Sequence, residues 1–181
     1  MATRLFAIRG FERTSVQELV VAAGVTKGGF YHYFSSKDEL LQTIYGRLLA
    51  EQSARLDEVA SGPGDVTSRL RLAATDVVVT TLRDIDAVTV VARSLYLLEP
   101  EVQRAVRADR RRYHERFCEI VLEGQAAGEF RADTTPDLVA DFFFGAVHYL
   151  PVWYRSGGAL SPQEVGGHFA DLLLSALLPS A

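Results

Sequence analysis

The residues best suited to contacting nucleic acid are concentrated in the segment TKGGFYHYFSSK, residues 26–37. Tyrosine hydroxyls and a histidine ring N–H are suitable donors to phosphate oxygens. The only two lysines of the chain, Lys27 and Lys37, also lie here. Gly28 and Gly29 each cost a helix about 1 kcal/mol relative to Ala, but a residue without Cβ lets the backbone approach a base edge or a phosphate. The segment therefore indicates a short helix that gives up stability for proximity to DNA.

The elements that must position this segment can be predicted from capping signals. Ser15 and Glu18 form a capping box for a helix of about two turns, and Gly24 can end that helix in the left-handed conformation. Thr26 then N-caps a second short helix, which ends near Phe34. Two short helices joined by a tight turn containing glycine predict a helix-turn-helix, whose second helix enters the DNA major groove.

The remainder of the chain predicts helices and no convincing strand. A second capping box, Ser36 with Glu39, opens a longer helix, and Pro151 should kink a later one. Capping residues and breakers place the further helices at about residues 36–61, 65–82, 86–98, 100–124, 136–154 and 161–177. We predict an all-α fold of about nine helices, with a DNA-binding domain over 1–40 that contains the helix-turn-helix and a second helical domain over 41–181, to which the family resemblance described below assigns effector binding and dimerisation.

Composition and charge narrow the possible functions. Residues 1–50 contain six basic and four acidic residues, whereas the whole chain has a net charge of −4, so positive charge is concentrated at the N-terminal end. No long uncharged apolar run or signal peptide is present, which predicts a cytoplasmic protein with no membrane partner. Cys118 is the only cysteine and is expected in the core. Dispersed histidines and the lack of a P-loop or catalytic triad argue against an enzyme, a cofactor and a metal site.

The run LFAIRGFERTSVQELVVAAGVTKGGFYHYFSSKDELL, residues 5–41, closely resembles the N-terminal domain of the TetR family of bacterial transcriptional repressors. The resemblance implies three DNA-reading helices, a fourth that links them to a divergent ligand-binding domain, and two last helices that pair with a second subunit. It also implies these DNA contacts: Thr14, Ser15, Thr26, Lys27, Gly28, Gly29, Tyr31, His32, Tyr33 and Lys37. Because the family usually has ten or more residues before the Leu5-Phe6 pair, we expect the N-terminus to be incomplete.

The residue types in this helix limit which DNA bases it can recognise. The chain contains no asparagine, and residues 26–34 contain no glutamine, so the bidentate amide contact to adenine is excluded there. Lys27 remains as a donor to guanine O6 and N7. The opposing interpretation is a helical ligand-binding or interaction protein whose first helix is too short to support DNA binding.

Aromatic residues of the second domain are candidates for an effector site, although an ordinary core role is equally consistent with them. The candidates are Tyr96, Phe117, Phe144, His148, Tyr149, Trp153 and Tyr154. A basic stripe of Arg104, Arg107 and Arg111, with Arg110 and Arg112 beside it, is either a solvated face or a site for an anionic head group.

The segment VWYRSGGALSPQEVGGHFADLLLSAL, Val152 to Leu177, is similar to the corresponding part of TetR-family repressors of fatty-acid and steroid catabolism. That resemblance implies an acyl-CoA thioester as effector, with an uncharged hydrophobic compound or no small ligand as the alternatives.

Two C-terminal helices carry more apolar residues than one protomer should need. We predict a homodimer through residues 136–154 and 161–178, which would bind a palindromic operator. The predicted interface residues are Phe143, Val147, Leu150, Phe169, Leu172, Leu173 and Ala176.

Overall fold

The structure, a computed structural model, describes residues 2–179, and these residues form helices and no strand. The α-helices are α1 Ala2–Arg9, α2 Val16–Ala23, α3 Lys27–Tyr33, α4 Lys37–Ala60, α5 Val66–Arg83, α6 Ile85–Ser94, α7 Pro100–Ala126, α8 Pro136–His148, α9 Leu150–Trp153 and α10 Pro162–Leu177. A 3-10 turn, Leu95–Leu97, follows α6. Because the single turn α9 continues α8 after a bend beside Pro151, the prediction of an all-α fold with about nine helices is confirmed for the described part of the chain.

The capping signals form the helix ends that they predict, with one exception. Ser15 Oγ accepts from the Glu18 N–H at 3.2 Å, while the Glu18 carboxylate accepts from the Ser15 N–H at 2.8 Å. Gly24 ends α2 with φ 67°. The exception is the second predicted capping box, Ser36 with Glu39. Ser36 Oγ accepts from the Glu39 N–H at 3.1 Å, as predicted, but the Glu39 carboxylate accepts from the N–H and the hydroxyl of Ser35 and not from Ser36.

By packing, the chain divides into two compact units. The first comprises the chain up to Leu48 together with Asp84–Ala108, and the second comprises Leu49–Arg83 together with the chain from Asp109 onward. This division differs from the predicted boundary after residue 40, because α1 packs against α6 as well as against α2. The domains 1–40 and 41–181 therefore remain a prediction about which residues serve DNA and which serve an effector.

The first unit is built around the aromatic and aliphatic faces of its short helices. The rings of Phe6 and Phe11 lie 5.0 Å apart, and Leu19, Phe30 and Leu41 are buried with them. This small core holds the short helices α2 and α3 in contact with each other.

The second unit is organised by the close approach of α5 and α10. A Cβ at Gly166 would lie only 3.0 Å from Thr75, so the two helices touch where α10 has no side chain. Arg69 of α5 is buried, and its guanidinium donates to the Ala60 carbonyl at 2.5 Å and to the Glu123 carboxylate. None of the described helices is both long and apolar enough to cross a membrane.

Candidate functional site

Most of the predicted DNA contacts lie on α3, and the side chains of Lys27, Tyr31, His32 and Tyr33 are all exposed there. Tyr33 keeps 74% of its accessible surface, whereas Phe30, between them, is buried and anchors the helix. The Lys27 ammonium lies 6.0 Å from the centroid of the Tyr31 ring, so these two residues share a face. Tyr31, His32 and Tyr33 are consecutive and project in successive directions around the helix. The exposed part of α3 therefore offers a cation, two phenolic hydroxyls and an imidazole.

The two glycines of α3 have different surroundings within the protein. A Cβ on Gly29 would lie 3.2 Å from Thr26 Oγ1, the atom that caps the helix by accepting from the Gly29 N–H at 3.0 Å. A Cβ on Gly28 would meet only that same atom at 4.0 Å, which is ordinary contact. Packing explains a glycine at position 29, but the fold does not require one at position 28.

Ser15 and Thr26 lie at the exposed starts of α2 and α3, as predicted. Their hydroxyls cap the helices, and the free N–H groups of a first helical turn attract phosphate. The glutamate of the Ser15 capping box, Glu18, also accepts from Arg9 at 2.6 Å and so ties α1 to α2. Its three hydrogen bonds, first those from Ser15, lower the pKa of Glu18.

Thr14 and Lys37, two of the predicted phosphate contacts, are placed otherwise, and both assignments are corrected. Thr14 is fully buried, and its hydroxyl donates to the Gly10 carbonyl at 2.8 Å. The Lys37 ammonium donates to the backbone carbonyls of Phe11, Glu12 and Thr14 at 2.8, 3.2 and 3.3 Å. Because an ammonium has three donors, these carbonyls occupy its full capacity. Lys37 holds the α1–α2 loop in place.

The loop that Lys37 holds carries a cation that the sequence prediction did not include. Arg13 lies in this loop and is exposed, three residues before the start of α2. The excess of basic residues in the first 50 positions favoured DNA contacts by positively charged side chains, but it could not identify Arg13 as one of them.

In the second unit, three predicted effector residues are brought together. Phe144 lies 5.1 Å from Phe117 and 6.4 Å from His148, measured between ring centroids. Arg110 Nη2 lies 3.1 Å from His148 Nε2. Desolvation, and then the charge of Arg110, lower the pKa of His148, so the imidazole is neutral near pH 7. Phe117 is fully buried and Phe144 half-buried, so the group is the edge of the apolar core with a guanidinium and a neutral imidazole at one end.

The other predicted effector residues are not part of this group. Tyr96 belongs to the first unit and is 72% exposed. Tyr149 is exposed, while the Trp153 ring stacks on Phe169 at 6.4 Å and makes an edge contact with Tyr154. The Trp-Tyr pair therefore packs near α10.

The predicted dimer residues fall into two classes. Phe143, Val147, Leu150 and Leu173 are buried within the protomer and are corrected to core residues, because α8 and α10 use these positions to pack on their own unit. Phe169 is half-buried. Apolar and aromatic side chains that remain exposed on these helices, or at the bend between α8 and α9, are Leu138, Phe142, Tyr149, Val152, Trp153, Leu172 and Ala176. Leu138, Phe142 and Tyr149 follow helical spacing and form one outward stripe.

Most arginines of the basic stripe on α7 are engaged by neighbours on the same helix. Arg104 pairs with Glu101, Arg111 with Glu115 and Arg112 with Asp109, whereas Arg107 donates to Gln103 at 3.0 Å. These positions form a solvated face, as one of the two interpretations predicted. Arg110 differs from them, because its guanidinium contacts His148 of α8 and not a neighbour on its own helix.

Comparison with protein families matches nearly the whole chain. Residues 1–44 match the family described as bacterial regulatory proteins, tetR family, and residues 63–177 match the tetracyclin repressor-like C-terminal domain.

Individual relatives agree with these family matches. The chain is 32% identical to the HTH-type transcriptional repressor KstR2 of Rhodococcus jostii strain RHA1, covering 98% of this chain and 87% of that protein. The crystal structure of the TetR family regulator PfmR from Thermus thermophilus superposes with a TM-score of 0.89 at 27% identity, covering 96% and 94% of the two chains. The ketosteroid transcriptional regulator KstR2 of Mycobacterium tuberculosis superposes with a TM-score of 0.88 at 24% identity, covering 99% and 92%.

Proposed function

Because the chain belongs to the TetR family of helix-turn-helix transcriptional regulators, we propose that it is a repressor that binds a palindromic operator as a homodimer and is released by a hydrophobic effector. As a member of this family it is a DNA-binding regulator and not an enzyme. The observation that carries the proposal is the exposure of four α3 side chains, Lys27, Tyr31, His32 and Tyr33, which present their hydrogen-bond donors to solvent.

Within this proposal, Lys27 reads a base and the aromatic donors position the helix. Lys27 is exposed in the first turn of α3, and recognition helices contact base edges through their N-terminal residues. Its ammonium can donate to guanine O6 and N7. Tyr31, His32 and Tyr33, further along the helix, donate to phosphates, as does the exposed Arg13 in the preceding loop.

A mobility-shift titration with promoter fragments tests the DNA-binding part of this proposal. Lys27→Ala should cost about 1–3 kcal/mol and relax the preference at one G·C pair per half-site. Arg13→Ala, as the matched backbone contact, should weaken operator and random DNA alike and lower the salt slope by about one unit. Equal losses on operator and random DNA for Lys27→Ala would show that it does not read a base. Lack of binding to any promoter fragment would favour the alternative of a ligand-binding or interaction protein.

The homodimer is supported by the exposed apolar residues of α8 to α10. Phe142 is 76% exposed and Leu172 69% exposed, and Leu138 and Tyr149 are also exposed. Exposed apolar residues that are grouped on one surface are typical of protein interfaces. A twofold interface uses the same patch of each protomer. Two protomers related in this way would place their α3 helices at half-sites about 34–36 Å apart or at a longer helical repeat.

The effector is proposed to bind beside Phe117 and Phe144, with an anionic group near Arg110. The half-buried guanidinium of Arg110 is available to a phosphate or carboxylate, and the adjacent His148 is neutral and can donate a hydrogen bond. The resemblance to repressors named for ketosteroid regulation favours a bulky hydrophobic compound, and the arginine favours its CoA thioester over the free compound.

The effector assay is a titration of the protein–operator complex with acyl-CoA and steroid-acyl-CoA thioesters, the matching free acids, and CoA alone. An effector releases DNA only if it binds the DNA-free conformation better. The proposed site beside Arg110 would be supported if thioesters release DNA from the wild-type protein but not from Arg110→Gln. Arg104→Gln, which changes an arginine of the solvated stripe, is the control and should still be released. If free acids release DNA as well as their thioesters do, the CoA part of the proposal is wrong and the repressor remains.

A further inference from the structure

Two helices of the second unit bring a histidine, a cysteine and an aspartate to one point. His114 and Cys118 are one turn apart on α7 and therefore share a face, and Asp137 lies in the first turn of α8. Cys118 Sγ is 3.7 Å from His114 Nδ1 and 4.0 Å from Asp137 Oδ1, and His114 Nδ1 is 3.9 Å from the same oxygen. The three atoms form a nearly equilateral triangle.

These separations are close to those of a metal site. Zinc binds imidazole nitrogen at about 2.0–2.1 Å, carboxylate oxygen at about 2.0–2.2 Å and thiolate sulfur at about 2.3 Å. In a tetrahedral site the ligand atoms are then about 3.3–3.6 Å apart. The observed triangle needs to contract by only a few tenths of an ångström. The Asp137 side chain is 75% exposed, so it can make most of that movement without disturbing the core.

We propose that His114 Nδ1, Cys118 Sγ and Asp137 Oδ1 bind a divalent transition-metal ion of the zinc type, with water at the fourth position. The donor set of nitrogen, sulfur and oxygen selects zinc-like ions over Mg²⁺ or Ca²⁺, which take oxygen ligands. The exposed aspartate leaves the fourth side open to solvent.

A fourth residue, Asp141, is placed to orient the histidine. Its Oδ1 lies 3.2 Å from His114 Nε2, a buried ring nitrogen that makes no well-aligned hydrogen bond. Metal-bound histidines usually donate their other N–H to a carboxylate, which fixes the tautomer and increases the basicity of the ligand nitrogen. A small rotation of the Asp141 carboxylate would complete this bond and leave Nδ1 free for the ion.

The local charge favours a cation at the triangle. Two carboxylates lie at the triangle: Asp137 Oδ1 is 3.9 Å from His114 Nδ1, and Asp141 Oδ1 is 3.2 Å from His114 Nε2. The same carboxylates that disfavour an uncompensated thiolate attract a divalent ion, and the ion in turn stabilises the thiolate. At neutral pH the thiol therefore releases one proton to solvent as the sulfur–metal bond forms.

The ion would join α7 to α8 beside the proposed effector group, since the rings of His114 and Phe144 are 5.9 Å apart. Such a cross-link stabilises the folded protein by binding it and not the unfolded chain. Zn²⁺ should therefore raise the melting temperature of the metal-free protein.

The test is a Co²⁺ titration of the metal-free, full-length protein by absorption. Cys118 is the only cysteine, so a thiolate-to-Co²⁺ charge-transfer band reports this site alone. We expect the band to saturate at one Co²⁺ per chain and to disappear on addition of Zn²⁺. Cys118→Ser should abolish the band, and Asp141→Asn should weaken binding about 10–100-fold. His168→Gln, an exposed position on α10, is the matched control and should leave the titration unchanged.

Asp137→Asn keeps the proposal testable if Cys118→Ser misfolds, because Asp137 is exposed and its replacement leaves the core intact. We expect at least a roughly tenfold loss of Co²⁺ affinity for Asp137→Asn, with an unchanged circular dichroism spectrum. An unchanged affinity, or a wild-type protein that gives no charge-transfer band at saturating Co²⁺, would overturn the assignment. Neither result depends on operator binding, so the repressor proposal is tested separately.

Discussion

Replacing Gly28 by alanine should make the protein more stable and yet bind DNA less well. A Cβ at this position meets only Thr26 Oγ1, at 4.0 Å, so alanine fits without strain. Alanine is favoured over glycine within helices by about 0.5–1 kcal/mol. For a protein of this size, 1 kcal/mol corresponds to about 2–4 °C in melting temperature, which gives an expected rise of about 1–4 °C for Gly28→Ala.

The loss of DNA affinity follows from the position of that methyl group. Gly28 lies in the exposed first turn of α3, the end that enters the major groove. A Cβ there keeps the backbone away from the base edges, and the misfit should resemble a mismatched base pair at about 1–3 kcal/mol per half-site. An effect of that size corresponds to about 5–150-fold in affinity.

The measurement pairs thermal unfolding with fluorescence anisotropy on operator DNA, using Gly29→Ala as the comparison. A Cβ on Gly29 lies 3.2 Å from the capping hydroxyl of Thr26, so Gly29→Ala should lose stability and DNA affinity together. A higher melting temperature together with a lower operator affinity in Gly28→Ala would show that affinity is lost because the backbone is held away from DNA, and not because the protein unfolds. A stabilised Gly28→Ala protein with wild-type operator affinity would refute the reasoning that this glycine brings the backbone close to DNA.

Three further substitutions test how the structure assigns particular side chains. Lys37→Ala should lower the free energy of unfolding by about 1.5–3 kcal/mol, since it removes charged hydrogen bonds, and should leave the salt dependence of DNA binding unchanged. A salt slope reduced by about one unit would show that Lys37 contacts a phosphate after all. Phe142→Asp should give a folded monomer by light scattering, whereas Leu173→Asp should unfold the protein because that leucine is buried; an unchanged Phe142→Asp dimer would place the interface elsewhere. Glu123→Ala should destabilise the protein more than Arg69→Met does, because it leaves the buried Arg69 guanidinium without its carboxylate, whereas the Glu123 that Arg69→Met leaves behind is half exposed; chemical denaturation that ranks them in the opposite order would contradict this explanation.

The helix boundaries could be predicted because their signals are local. The Ser15 capping box, the left-handed Gly24 and the Thr26 cap each depend on residues within three positions of one another, so the sequence already contains both partners. The one failure, Glu39, was also local: two adjacent serines compete for the same carboxylate, and Ser35 offers it both an N–H and a hydroxyl. Sequence spacing alone does not decide that competition.

The division of apolar residues between core and interface could not be predicted in the same way. Phe142 and Phe143 are adjacent and chemically identical, yet the first is 76% exposed and the second 3% exposed. A helix that packs on its own unit with one face and leaves the other face apolar has no clear hydrophobic period. The direction of the core comes from the packing of α8 against α5 and α10, which is long-range information.

The different role of Lys37 has the same physical origin. Its position beside an aromatic-rich recognition helix makes a phosphate contact the natural expectation, since lysine is a common phosphate ligand. The carbonyls that accept its hydrogen bonds belong to Phe11, Glu12 and Thr14, more than 20 residues earlier. They converge on the ammonium only in the folded α1–α2 loop. An ammonium that already makes three hydrogen bonds would lose them in reaching a phosphate. Its positive charge therefore stabilises the loop that carries Arg13 and Ser15, and we expect it to act on DNA binding through the conformation of that loop and not through a contact of its own.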